Sequence, residues 1–184
     1  MSRVASGSVR RTGERLTLVD VEPGVCAIGQ WQNVMLVIWW SAAVPAAVER
    51  IEQEMIALAH RFPEKNSQIH LVKDRAGVPG PEARAGLIRL MTDYTTSLAN
   101  CAVVIGGTGF WASTMRSAIT SMRFLSTRAF EMRLHGSTAE ILDWLPEAHL
   151  RQTGVEITRD DLSRILRDAE EWLLGGFDAM RMFS

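Results

Sequence analysis

Cysteine, lysine and histidine are scarce in this chain of 184 residues, which has two Cys, two Lys and four His. Cys26 and Cys101 lie far apart among apolar neighbours. They make no disulfide framework and read as buried thiols in a reducing, cytoplasmic setting. His60, His70, His135 and His149 pair with no His, Cys or acid at metal-ligand spacing, so no metal site is expected. Charge of one sign is lacking as well: the net charge is −1, and arginines alternate with acids along the helix faces. That excludes a polybasic nucleic-acid binder. The strongest apolar run, Val34 to Trp40, is far shorter than the ~20 residues a membrane span needs. The Ser-, Gly- and Arg-rich start, Met1 to Arg15, has no apolar segment of the kind a secretory signal carries. No nucleophile elbow and no Ser–His–acid set stands out, so a non-enzymatic protein without a cofactor is expected.

An apolar fraction of 47% with 22% charged residues fits one globular domain large enough to build its own core. Leu16 to Val21, Val25 to Gln30 and Val34 to Trp40 are β-prone runs, the last two joined by a tight turn at Gln32-Asn33. Val34 to Trp40 is continuously apolar, the pattern of a central strand covered on both faces. Trp39 and Trp40 then point to opposite faces. Pro45 opens a helix whose Val48, Ile51, Met55, Leu58 and Phe62 repeat at helical spacing, and Pro63 ends it.

A strand at Ile69 to Val72, a Pro/Gly loop from Asp74 to Pro81 and a helix from Glu82 to Asn100 follow. Then come a strand at Cys101 to Ile105, a glycine turn at Gly106 to Gly109, a helix burying Trp111, Met115 and Ile119, and a strand at Phe130 to Leu134. Ser137 and Glu140 form a capping box for a helix that Pro146 cuts short. Thr158 and Asp161 cap a last helix, which Gly175-Gly176 stops. The pattern predicts an α/β protein with a mixed, mostly parallel sheet opened by an antiparallel hairpin, helices packed on it, and an extra C-terminal helix. Its divisions are a disordered tail over 1–14, an α/β domain over 15–149, and a linker, helix and apolar tail over 150–184.

From Val25 to Trp144 this order of elements resembles the STAS fold of SpoIIAA-like anti-sigma-factor antagonists, with a similar sheet opening in SEC14-type lipid-binding domains. The resemblance implies a regulatory or scaffolding module that binds a protein partner. STAS switches of the phosphorylated kind carry a Ser or Thr after the third strand. The matching stretch, Asp74 to Leu87, has none, so that switch is not expected.

The expected partner surface comprises Arg75, Pro79, Glu82 and Arg84 on the loop and helix start, with Trp172, Phe177, Met180 and Phe183 at the C-terminus. The partners expected are an unidentified protein and a second copy of the chain, with no nucleic acid and no membrane span. The alternative is a small-ligand protein. An anion would bind Gly107, Thr108, Gly109 and Arg116, since a glycine turn opening a helix points amides at negative charge. An apolar or lipid ligand would instead occupy a Trp-lined cavity.

Overall fold

The structure, a computed structural model, describes residues 9–10, 15–94, 96–125 and 130–180. In chain order the elements are β1 (Val9–Arg10), β2 (Thr17–Glu22), β3 (Cys26–Trp31), β4 (Val34–Trp39) and α1 (Pro45–Arg61). They continue with β5 (Asn66–Val72), α2 (Pro81–Asp93), β6 (Leu98–Ile105), α3 (Phe110–Leu125) and β7 (Glu131–His135). The chain closes with α4 (Thr138–Thr153), β8 (Val155–Glu156) and α5 (Arg159–Met180). Six strands form one sheet in the order β2-β3-β4-β5-β6-β7. The β2-β3 and β3-β4 pairs are antiparallel and every later pair is parallel. This is the α/β architecture expected from the sequence, with its opening hairpin and its C-terminal helix. Of the expected tail 1–14, only β1 is described, and it pairs with β8.

Helices cover both faces. On one face α1, α2 and α3 meet the side chains Cys26, Ile28, Met35, Val37, Cys101 and Val103. On the other α4 and α5 meet Leu36, Ile38, Ile69, Leu71, Ala102 and Val104. Every residue of β4 is buried, which explains why its run is apolar on both faces. The two adjacent tryptophans divide as strand geometry requires. Trp39 lies under the helices of the first face, and Trp40 reaches the second, where its Nε1 donates to the Trp172 carbonyl of α5 at 3.3 Å.

Several local expectations are corrected. The positive φ in the β3-β4 turn falls on Gln32 (52°), although Asn33 is the residue type that tolerates it more readily. Asn33 instead donates from Nδ2 to the Lys65 carbonyl at 2.8 Å, a use for a buried amide that outweighs its turn preference. α2 ends at Asp93, because Ser97 and Leu98 turn back onto the Tyr94 carbonyl, and Leu98 to Asn100 then belong to β6. His70 and His135 lie on strands separated by β6.

Pro146 does not cut α4, which runs from Thr138 to Thr153 and so crosses residue 149. A proline there deprives the Leu142 carbonyl of its helical donor. Arg159 supplies a replacement, donating from Nη1 to that carbonyl at 3.1 Å. Gly175-Gly176 likewise lies inside α5, not after it. A glycine in a helix costs about 1 kcal/mol relative to alanine, which is a weak stop signal.

Two contacts place the outer elements. Arg50 of α1 donates from Nε to Glu22 and from Nη1 to Asp20, each at 2.8 Å, and ties the helix to edge strand β2. Gly29 of β3 lets α5 approach, since a Cβ there would meet Leu16 Cδ1 at 2.9 Å and Trp172 Cζ3 at 3.1 Å.

Candidate functional site

Two arrangements of polar groups lie inside the protein, on opposite faces of β5. Strand alternation sends Ser67 toward α4 and sends Gln68 and His70 toward α1, α2 and α3.

On the α4 face, Ser67 Oγ and His149 Nδ1 are 2.7 Å apart, and His149 Nε2 lies 3.1 Å from Asn33 Oδ1. Asn100 Nδ2 donates to Ser67 Oγ at 3.1 Å, and Gln152 Nε2 donates to Asn100 Oδ1 at 3.4 Å. One assignment of protons satisfies the whole chain. Asn33 spends its NH₂ on the Lys65 carbonyl, so its oxygen must accept. His149 therefore carries its proton on Nε2, and its bare Nδ1 accepts from the Ser67 hydroxyl. Burial pushes the His149 pKa down to about 4, so the imidazole is neutral near pH 7.

A serine against a histidine suggests a nucleophile and its base. Here both side chains are fully buried and line neither the cavity nor the groove described below, the third member is an amide and not an acid, and the base is weak. The chain of bonds instead ties α4 to β5, β6 and the β3-β4 turn.

On the opposite face a cavity of about 100 Å³ separates the sheet from the helices. Trp39, Gln68, His70, Cys101 and Val103 form its floor. Met55 of α1, Leu87 and Met91 of α2, and Met115, Ile119 and Met122 of α3 surround it. α2 packs against α1 and α3 and roofs the space. Gly77 and Pro79, on the loop after β5, contribute to its wall. No charged side chain lines it among the described residues. Five of the chain's nine methionines do: Met55, Met91, Met115, Met122 and Met132. Methionine is unbranched and adaptable, so such a wall can reshape around a guest.

The floor has one polar corner. Trp39 Nε1 donates to His70 Nδ1 at 3.1 Å, and His70 Nε2 lies 3.3 Å from Gln68 Oε1. Because Nδ1 accepts, Nε2 carries the proton and donates to the Gln68 oxygen. Gln68 is thereby oriented, and its Nε2 is a buried donor without an acceptor in the protein. Burial holds the His70 pKa down at about 4, so this corner is uncharged. Cys101, also on the floor, has its thiol pushed up to about 12 by burial and stays protonated.

The glycine turn has the predicted shape. Gly107 and Gly109 take φ of 75° and 94°, conformations that favour glycine. Thr108 is exposed between them. Arg116 turns back to the strand end, donating from Nη2 to the Ile105 carbonyl at 2.7 Å and to the Gly107 carbonyl at 3.3 Å. The Asp74 carboxylate lies beside Gly107, with Oδ1 at 3.8 Å from the position a Cβ would take. An acid at the turn and an arginine engaged with carbonyls make a poor anion cradle.

Of the expected partner surface, Arg75 and Glu82 are exposed, and Arg75 has a φ of 66°. Pro79 and Arg84 meet each other, the Arg84 Nη2 donating to the Pro79 carbonyl at 3.3 Å. The loop itself is held by Trp111, whose Nε1 donates to the Ala76 carbonyl at 2.7 Å. Trp172 turns inward onto the α4–α5 core. The side chains of Phe177 and Met180, and all of Phe183, lie outside the described residues. The structure thus brings the loop residues together near the glycine turn and leaves Trp172 apart from them.

A second, open groove of about 500 Å³ lies between β7 and α4. Its charged side chains have partners within the groove and beside it. Arg133 stacks 4.8 Å above the Trp144 ring, Arg151 meets Glu131 and Glu147, and His135 Nδ1 lies 3.6 Å from Glu140. Burial lowers the His135 pKa, with Glu140 opposing the shift. No group of three or more His, Cys, Asp or Glu is placed to hold a metal among the described residues. No helix among them is long and apolar enough to cross a membrane.

Compared with protein-family models, with curated proteins and with solved structures, the chain gives no match.

Proposed function

We propose that this protein binds a small apolar molecule in the cavity beneath α2, without transforming it chemically, and acts as a regulatory module. The observation that carries the reading is the cavity itself: uncharged, rich in methionine, roofed by one helix, with a single polar corner at His70 and Gln68. Pockets of small molecules have this make-up, mostly apolar walls with a few placed polar groups. The volume is about two-thirds of the roughly 150 Å³ apolar cavity that holds benzene elsewhere, and the adaptable methionine wall widens it to take a five-membered ring. Binding without chemistry is supported by the weak basicity of His70 and the protonated Cys101. The test is thermal unfolding with cyclopentane, butane-saturated buffer and benzene. The midpoint rises with ligand concentration in the wild type. Val103→Phe, which fills the floor, removes the response. An unchanged midpoint with every probe contradicts the proposal.

A second reading, the partner-binding module of STAS type, is favoured by Phe110. It is 88% exposed at the start of α3, directly after the glycine turn, and its neighbour Trp111 holds the loop that carries Arg75. A large exposed aromatic side chain is suited to a protein contact, with another protein or a second copy. Sedimentation of the wild type and of Phe110→Ser separates self-association from a monomer. Identical monomeric profiles leave only a foreign partner for this surface.

A further inference from the structure

We propose that the guest of this cavity is an uncharged molecule with a hydrogen-bond acceptor, such as a small ketone, ester or aldehyde, and that Gln68 Nε2 recognises its oxygen. This rests on the cavity reading above and specifies its ligand class.

The argument is a count of donors and acceptors. Trp39 has one N–H and spends it on His70 Nδ1 at 3.1 Å. That fixes the His70 proton on Nε2, where it goes to Gln68 Oε1 at 3.3 Å. Gln68 cannot flip, because its NH₂ would then face another N–H. Its amide nitrogen is left buried and without an acceptor, on a residue that lines the cavity and is only 5% exposed. A buried donor left unmet is costly, whereas meeting it is favourable. Every other lining group near this corner is apolar or already committed, so the cavity asks for one acceptor and otherwise hydrocarbon.

The same count excludes other ligands. A carboxylate would enter a site with no Lys or Arg in its wall and a histidine that stays neutral. An ammonium would meet donors where it needs acceptors. An aliphatic hydrocarbon fits the walls but leaves Gln68 unmet.

Three probes of one shape test this: cyclopentanone, cyclopentane and cyclopentylammonium, titrated against the full chain by methyl NMR. Cyclopentanone is expected to bind about five- to tenfold tighter than cyclopentane, the gain of one hydrogen bond. Cyclopentylammonium is not expected to bind. In Gln68→Leu and in Gln68→Met the ketone preference disappears, while cyclopentane binds as well as before or better. The carbonyl stretch of bound cyclopentanone, measured on the wild type alone, shifts to lower frequency than in hexane, which tests the bond even if a variant fails to fold. Equal affinity for cyclopentane and cyclopentanone in the wild type, or an unshifted carbonyl stretch, overturns the assignment and leaves the cavity reading standing. Binding of neither one overturns both.

Discussion

Ser67 on β5 and His149 on α4 meet through a 2.7 Å hydrogen bond that no solvent reaches. The pair has the spacing of a nucleophile and its base, yet the geometry around it is that of a structural pin. Asn33, Asn100 and Gln152 extend it into a chain in which each proton has one place to go. The proposed ligand cavity lies on the other side of the same strand, where Gln68 and His70 line it.

The neutral His149 makes stability depend on pH. Its folded pKa of about 4 lies below the ordinary value of 6.5, so between these two values the unfolded chain binds more protons than the folded one. Stability is full above pH 7 and falls as the pH drops through 6.5 toward 4. His149 alone contributes a loss of roughly 2 kcal/mol between pH 7 and pH 5, and His70 adds a loss of the same sign. Urea midpoints followed by tryptophan fluorescence check this. A midpoint that rises on acidification contradicts a neutral buried imidazole.

Removing the hydroxyl of Ser67 leaves His149 Nδ1 without a donor and Asn100 Nδ2 without an acceptor, both buried. Ser67→Ala is therefore expected to cost about 2–3 kcal/mol in chemical denaturation. Ligand affinity is unchanged, because Ser67 does not line the cavity. A loss of affinity comparable to that from filling the cavity would show that the two faces of β5 are coupled.

Pro146 and Arg159 are linked through one carbonyl. Arg159 donates to the Leu142 oxygen that the proline leaves bare. Arg159→Ala alone is expected to cost about 1 kcal/mol. In a Pro146→Ala background the restored helical N–H takes over, and the same change costs less than about 0.5 kcal/mol. A double-mutant cycle of urea midpoints measures the coupling. Additive effects would show that the arginine does not replace the missing donor.

Gly29 is a point of close approach between α5 and the sheet. A methyl group there runs into Leu16 and Trp172 at 2.9 and 3.1 Å. Gly29→Ala is expected to cost about 1–3 kcal/mol, as overpacking does. Hydrogen exchange locates the effect: amides of α5 lose protection before those of α1. Uniform loss across both faces would place the strain elsewhere.

Patterns within one element were readable from the chain, and relations between elements were not. The stripe Val48, Ile51, Met55 and Leu58 announced α1, and the continuous run Val34 to Trp39 announced a strand buried on both faces. Pro146 and Gly175-Gly176 misled because a local break was overridden by tertiary contacts, the arginine at Leu142 being the visible one. The Ser67–His149 chain joins residues from four distant places, 33, 67, 100 and 149, and no spacing rule links them. The cavity stayed hidden for a different reason. Methionine and leucine at helical spacing look alike whether they fill a core or surround a space. One signal was present: β5 is a central strand, yet Asn66, Ser67, Gln68 and His70 are polar, and Gln68 and His70 alternate onto one face, where buried polar side chains need a reason.

The central claim is that a guest enters the space beneath α2. Methyl-labelled methionine and isoleucine NMR tests it most directly, because five of the nine methionines line the cavity and Ile141, buried on the opposite face of the sheet, does not. On titration with cyclopentanone the account predicts saturable shifts of Met55, Met91, Met115, Met122 and Met132, with Ile141 unmoved. Shifts that do not saturate, or that fall equally on Ile141, would contradict it.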